Sequence, residues 1–383
     1  MDDELRRGLE GVVVDETTLS DVDGSAGRLV YRGYEIGDLA ESASFEEVLY
    51  LLWHERLPTR DELADFRDAL AADRALAPAV QDLLADLAEA GETPMAALRT
   101  AVSALSATAP SAGGEPQNAA ETRERGRRIA AKMPTILAAY DRLRRGERPI
   151  PPDEEYGHAA DFLRMLTGHP PDEVAADTFD MALTLHADHG FNASTFVAIT
   201  VASTFADIYS AAVAGVGALS GPLHGGANQD GIEVLAEIDR AEESATEWAR
   251  NRVEAGEHIP GWGHRVYEVT DPRAEILRER LGKLSAADGD RRWLEYTRGI
   301  ETHLTGELSF LEKGIAPNVD FYSGAVYHKL GIPEDMYTPI FAMSRVGGWV
   351  GHVLEYQATN RLIRPRARYV GPADRAFVPI DQR

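Results

Sequence analysis

Cysteine is absent from this chain, which excludes disulfides and thiolate metal sites and removes any pointer to an oxidising compartment. Lysine is almost absent too, supplying four of the 39 basic residues. Against 63 acidic residues the formal charge is -24, a balance that repels nucleic acid and anionic lipid, so neither is an expected partner. An acidic, lysine-poor surface suits a protein kept soluble in molar salt, where screening acts over about 3 Å, and a salt-accumulating halophile is therefore the expected source. The opening MDDELRRGLEG has no apolar signal-peptide core, and a cytoplasmic location is expected. From Ile208 to Gln229 there is no charge, but the stretch is rich in Gly, Ala and Ser and carries Pro222 and His224. It reads as a helix buried among other helices, not as a membrane span.

Several nucleotide and hydrolase signatures are missing as well. No glycine-lysine phosphate loop occurs, GVGALSG has the wrong spacing for a dinucleotide turn, and no serine elbow is present. What the chain does contain is apolar content of 44% over 383 residues, enough for a substantial core divided between two lobes. ETTLSDVDGSAGRLVYRGYEI places β-branched and aromatic residues around an Asp-Gly turn, the pattern of a short hairpin or small sheet. Nearly everything after it has helical periodicity. Ser44 with Glu47, and Thr59 with Glu62, form capping-box patterns. Amphipathic stretches run over Ala119–Arg144, Pro171–His186, Asn192–Ala206, Ile208–Ser220, Pro272–Leu284 and Tyr337–Thr359, while APSAGGEPQNAAETRERG reads as a surface connection. About fifteen helices, with no strand-helix alternation and no repeat, define a mainly α architecture.

Three glycine- or proline-flanked segments carry candidate chemistry: GPLHGGANQD, GWGHRVYEVTDPRA and EKGIAPNVDFYSG. His224 and His264 lie where glycines let backbone or ligand approach the ring, and Asp320 falls near a helix start, where the dipole favours a carboxylate. Two imidazoles and a carboxylate can share removal of a proton beside a carbonyl: the carboxylate abstracts, and the imidazoles hold or protonate the oxygens where charge develops. HADHG admits a different chemistry, since His186, Asp188 and His189 could gather around a metal; anion binding is the preferred reading of His189. Arginines concentrate in RLIRPRARY, which contains Arg361, Arg364, Arg366 and Arg368, and recur at Arg273 and Arg345. Guanidinium forks pair bidentately with carboxylates, so a di-acid fits them better than a polyanion.

These segments resemble the citrate synthase family. The resemblance spans almost the whole chain after its N-terminal stretch and is densest in LHADHGFNASTFVA, DIYSAAVAGVGALSGPLHGGAN, PGWGHRVYEVTDPRA, EKGIAPNVDFYSG, GIPEDMYTPIFAMSRVGGWVGHVLEY and RLIRPRARY. It implies a mainly α, two-domain multi-helical fold with a small N-terminal β element, of the short dimeric type. Residues 1–222 and 332–383 would form a large, dimer-forming domain, and 223–331 a small domain closing over the substrates. The implied reaction joins acetyl-CoA to oxaloacetate and hydrolyses the resulting thioester, with a coenzyme A thioester as co-substrate and no tightly bound cofactor or metal. By the same resemblance Asp320 is the base, His224 holds the enol oxygen and His264 polarises the ketone. His189, Arg273 and Arg345 would grip the oxaloacetate carboxylates, with Arg364 reaching across a homodimer interface. Arg265, Lys313 and Asn318 match positions that meet coenzyme A.

Three positions depart from the family pattern: Trp262, where a smaller aromatic is common; Glu268, where a basic or neutral polar residue is common; and Gly231, in place of an aliphatic. They lie toward the acyl side and leave open a 2-methylcitrate synthase acting on propionyl-CoA, because one methylene changes binding by only about 1–3 kcal/mol. A non-catalytic acidic assembly protein on the same scaffold should lack one of the three catalytic positions, and this chain keeps all of them.

Overall fold

The computed structural model describes residues 5–9, 11–108, 118–241, 244–263 and 266–383, with 227–230 as backbone alone. Sixteen α-helices and one small sheet make up its regular structure among these residues. Strands β1 (Ser20–Asp23), β2 (Arg28–Tyr31) and β3 (Tyr34–Glu35) run antiparallel in that order, with Ser20 opposite Tyr31 and Asp23 opposite Arg28. The Asp-Gly turn forms where the sequence places it. Asp23 closes the loop by accepting from the Ser25 hydroxyl (2.7 Å) and from the Ser25 and Ala26 amides (both 3.0 Å). Those donors stabilise its charged form and hold its pKa below the usual carboxylate value.

Both capping boxes close. Ser44 and Glu47 start α2 (Phe45–His54), and Thr59 and Glu62 start α3 (Arg60–Ala72), each side chain satisfying an amide that the first turn leaves without a partner. Helix α6 covers Ala119–Arg144, the expected span, and α10 covers Ile208–Leu219 inside the uncharged run. Among the described residues no helix is long and apolar enough to cross a membrane. Helix α9 (Ala193–Ala202) stops short of the expected end, and Phe205 takes a positive φ of 63° in the turn toward α10. Helix α13 runs on from Pro272 to Asp288 and ends at Gly289, whose φ of 76° reverses the chain. Residues 109–117 of the expected surface connection lie outside the described residues.

The core is organised around α16 (Tyr337–Ala358), most of whose residues are buried, with α2, α6, α8 (Glu173–His186), α9 and α10 packed around it. Trp349 at its centre is fully buried, and burying such a ring contributes roughly 1.5–3 kcal/mol. Helices α11 (Ala227–Ala241), α12 (Ala245–Glu254), α13, α14 (Arg292–Thr302) and α15 (Val319–Lys329) pack on one another.

One acidic contact in this scaffold is expected to make stability depend on pH. Where α2, α7 (His158–Thr167) and α8 meet, Asp180 accepts from the Phe45 amide (2.9 Å) and Glu46 from the His158 amide (2.9 Å). Burial and then the Glu46 charge push the Asp180 carboxyl well above its usual value of 3.8. The unfolded chain ionises this group first, so the stability tied to it is complete below 3.8 and is lost as pH rises toward the folded value. Asp180→Asn removes the loss while keeping an oxygen for the Phe45 amide. The variant is expected to melt higher than the parent at pH 7, by on the order of 2 °C per kcal/mol recovered, with the gain shrinking at pH 4. Melting curves at the two pH values check this; an equal change at both would refute it.

Candidate active site

His224 follows α10 in a tight turn. Its own amide donates to Gly221 O (3.0 Å), and a Cβ on the next residue, Gly225, would lie 2.2 Å from Leu219 O and 2.8 Å from Thr338 Cγ2. The glycine is therefore required by a close backbone approach, and Thr338 donates its hydroxyl to Gly225 O (2.8 Å). The ring of His224 turns to the start of α9, where the Ser194 amide donates to Nε2 (3.2 Å) and the Ser194 Oγ lies 2.8 Å from the same atom. A backbone N–H can only donate, so Nε2 is an acceptor and the neutral ring carries its proton on Nδ1. Burial, followed by the charge of Arg345, pushes this imidazole down to about 4, so it is neutral at pH 7.

Asp320 occupies the first turn of α15. Asn318 caps that helix, accepting from the Asp320 amide (2.9 Å) while its side-chain amide donates to Gly263 O (2.9 Å). The segment before His264 is tied to the same place: Gly263 N donates to Ala316 O (2.8 Å), Asn318 N donates to Gly261 O (2.9 Å), and Trp262 pairs with Pro317. His264 and Arg265 themselves lie outside the described residues. Trp262 is buried, with its ring edge-on to Phe321 (5.5 Å) and Phe310 (6.1 Å), so this larger aromatic packs against the residue that follows Asp320. Gly231 also has a local reason, because a Cβ there would come within 2.9 Å of Asp320 O.

Two arginines are buried nearby. Asp271, at the N-terminus of α13, holds Arg273 through Nε (3.0 Å) and Nη2 (2.7 Å) and also accepts from the Val319 amide (3.3 Å). One carboxylate thus fixes both the arginine and the helix that carries Asp320. Arg345, in the middle of α16, donates Nε to His186 O (2.8 Å) and lies over the Phe341 ring at 4.6 Å. Among the described residues no carboxylate comes within ion-pair distance of it. Burial holds its pKa down to about 10 although Asp188 and Asp320 favour the charge, and Arg273 opposes it. Since Arg345 also acts on His224, the four groups share one electrostatic environment.

The HADHG residues separate. His186 Nδ1 bonds Ala182 O (2.7 Å) inside α8, and burial lowers its pKa to about 3. Asp188 bonds His352 (3.2 Å), the Ser20 hydroxyl and the Gly190 amide (3.0 Å), whereas His189 Nε2 meets the Tyr267 hydroxyl at 3.3 Å. Among the described residues no group of three or more potential metal ligands converges. Lys313 is exposed, with Nζ 5.6 Å from the Phe310 ring centre, and Arg364 is exposed in the extended segment after α16. Ser194, Asp271 and Tyr267 were not singled out from the sequence. Asn192 followed by small polar residues was the available signal for Ser194, since a helix start leaves first-turn amides to be used.

A neutral imidazole, a carboxylate at a helix start and two buried arginines, one paired with Asp271 and one without a close carboxylate, form an arrangement suited to acid–base chemistry on an anionic substrate. Comparison with known proteins narrows this. Residues 8–366 match the family model described as citrate synthase, C-terminal domain. A citrate synthase of Haloferax volcanii is 55% identical, with 100% of each chain covered. The structure of citrate synthase from Pyrobaculum aerophilum superposes with a TM-score of 0.89 at 41% identity, covering 98% of this chain and 95% of that one. The Thermoplasma acidophilum citrate synthase, solved as a ternary complex with carboxymethyl coenzyme A and oxaloacetate, gives 0.89 at 34% identity, covering 99% of this chain and 100% of that one. The chain belongs to the citrate synthase family.

Proposed function

We propose that the chain condenses acetyl-CoA with oxaloacetate and water to give citrate and coenzyme A. The observation that carries this reading is the shared environment of neutral His224, Asp320 and the buried Arg273 and Arg345. Asp320 takes a methyl proton from the thioester, and His224 donates Nδ1–H to the thioester oxygen as negative charge develops there. His264 polarises and protonates the ketone of oxaloacetate, whose carboxylates pair with His189, Arg273 and Arg345. Arg265 and Lys313 supply cations for coenzyme A. Asn318 acts beside them by capping the helix of Asp320, a use of its side chain that supports a positioning part.

In this reading residues 223–331 form a small domain that closes on the body made by 1–222 and 332–383, excluding water before condensation. A second copy of the chain covers the segment after α16 and receives Arg364. Support comes from Tyr369 (75% exposed), Val370 (87%), Phe377 (81%) and Ile380 (72%), apolar side chains left open on a single copy. A cytoplasmic, salt-adapted protein accords with the -24 charge and the scarcity of lysine.

Thiol release from acetyl-CoA or propionyl-CoA, followed with oxaloacetate from low to molar potassium chloride, tests these points together. Oxaloacetate-dependent release is expected, faster with acetyl-CoA and increasing toward molar salt. Preference for propionyl-CoA would replace the reading by 2-methylcitrate synthesis, and no release at any salt concentration would leave only a scaffold.

A further inference from the structure

The turn of the N-terminal hairpin, residues 24–27, touches a segment far away in sequence. Glu268 donates its amide to Gly24 O (3.0 Å), and a Cβ built on Gly24 would fall 1.8 Å from Val266 O and 2.5 Å from the carbon of that carbonyl. A Cβ on Gly27 would meet Val269 Cγ2 at 2.9 Å and Thr270 O at 3.1 Å. The chain from 266 to 270 therefore lies directly on the hairpin tip, and only at glycines can the two backbones approach so closely. Gly24 has no positive φ, so contact and not turn geometry accounts for the glycine there.

Both sides of this contact lead into the site. The hairpin is anchored on the large helical body: Tyr31 accepts from the Asp188 amide (3.1 Å) and donates its hydroxyl to Asp188 O (2.9 Å), and the Ser20 hydroxyl bonds Asp188. The seated segment, 266–270, includes Tyr267, whose hydroxyl lies against His189. Thus the tip grips a stretch of chain that in sequence lies between a proposed ketone-polarising imidazole and a proposed carboxylate-binding guanidinium.

We propose that the hairpin tip is a latch for the 266–270 segment and that Gly24 is a positioning residue for substrate-dependent closure. The segment 266–270 is seated on Gly24 in the structure, and oxaloacetate, by drawing Arg273 and His189 onto one ligand, holds it there and keeps the Glu268 amide covered. This rests on the proposed condensation for its kinetic consequence, but its structural consequence does not.

Gly24→Ala tests it, with Gly37→Ala as control because nothing lies within 4 Å of a Cβ at Gly37. Hydrogen exchange at the Glu268 amide and steady-state kinetics are read together, since a misplacement near 1 Å costs about 10²-fold. Expected for Gly24→Ala are loss of oxaloacetate-induced protection at Glu268, a KM for oxaloacetate raised about tenfold or more and a lowered kcat, with the melting temperature and the KM for acetyl-CoA little changed. Parent-like protection and kinetics would overturn the latch. If the parent has no condensing activity, the proposed function fails, yet exchange at Glu268 still decides the latch. Should Gly24→Ala not fold, Asp23→Ala replaces it: this loosens the exposed turn without adding a clash and is expected to shift both readouts in the same direction, and no shift would overturn the proposal.

Discussion

Asp320→Asn is expected to lower kcat by roughly 10²–10⁴-fold while the melting temperature and the dissociation constant for oxaloacetate stay near those of the parent. The fold is spared because the cap of α15 is Asn318, whose bond to the residue-320 amide does not involve the replaced side chain. Carboxamide and carboxylate are close in shape, but only the carboxylate can accept a proton from carbon. Steady-state turnover with acetyl-CoA, compared with calorimetric binding of oxaloacetate, separates the two quantities. Near-normal turnover would remove Asp320 from the base role, and loss of binding without loss of turnover at saturation would make it a ligand for oxaloacetate.

Local signals in the sequence carried much of the fold. Ser44 with Glu47, and Thr59 with Glu62, mark helix starts because their partners lie three residues away, within the reach of pattern. The same holds for the hairpin, whose turn is closed by Asp23 and its immediate neighbours. The extent of α13 was harder to read: the apolar pattern stops at Leu284, but the helix continues through buried Ser285 to Asp288, where Gly289 ends it. Contacts between distant segments left no periodic trace. Nothing near Gly24 in sequence announces Val266, and nothing near His224 announces Ser194, which is 30 residues away. Asp271 is similar, since a DP pair suggests a helix start but not a carboxylate shared between Arg273 and the amide of Val319. The candidate residues themselves were found because their neighbours are unusual; what holds each one in place emerged only with the fold.

Arg345→Met should separate stability from binding more sharply than any other single change. This guanidinium is buried, its Nε donates to a backbone carbonyl, and desolvation outweighs the more distant Asp188 and Asp320, holding its pKa down to about 10. A buried charge without a close partner costs several kcal/mol, and an unbranched thioether fills much of the same space beside Phe341 without that cost. The unliganded variant is therefore expected to melt at or above the parent temperature. In the proposed reading oxaloacetate pairs a carboxylate with Arg345, and a ligand that binds only the folded chain stabilises it by RT ln(1 + [L]/Kd), so the parent should gain about 2.7 kcal/mol at a concentration of 100 Kd. Loss of a charge-assisted pair from a buried site costs about 2–5 kcal/mol of binding, enough to raise the KM for oxaloacetate by about 30-fold or more and to remove most of the ligand-induced rise in melting temperature at that same concentration. Thermal scans with and without oxaloacetate give both results in one experiment. A variant that melts lower without ligand yet keeps its full response to oxaloacetate would make Arg345 a structural cation satisfied by Asp188, and the carboxylate grip would have to be reassigned to Arg273 and His189.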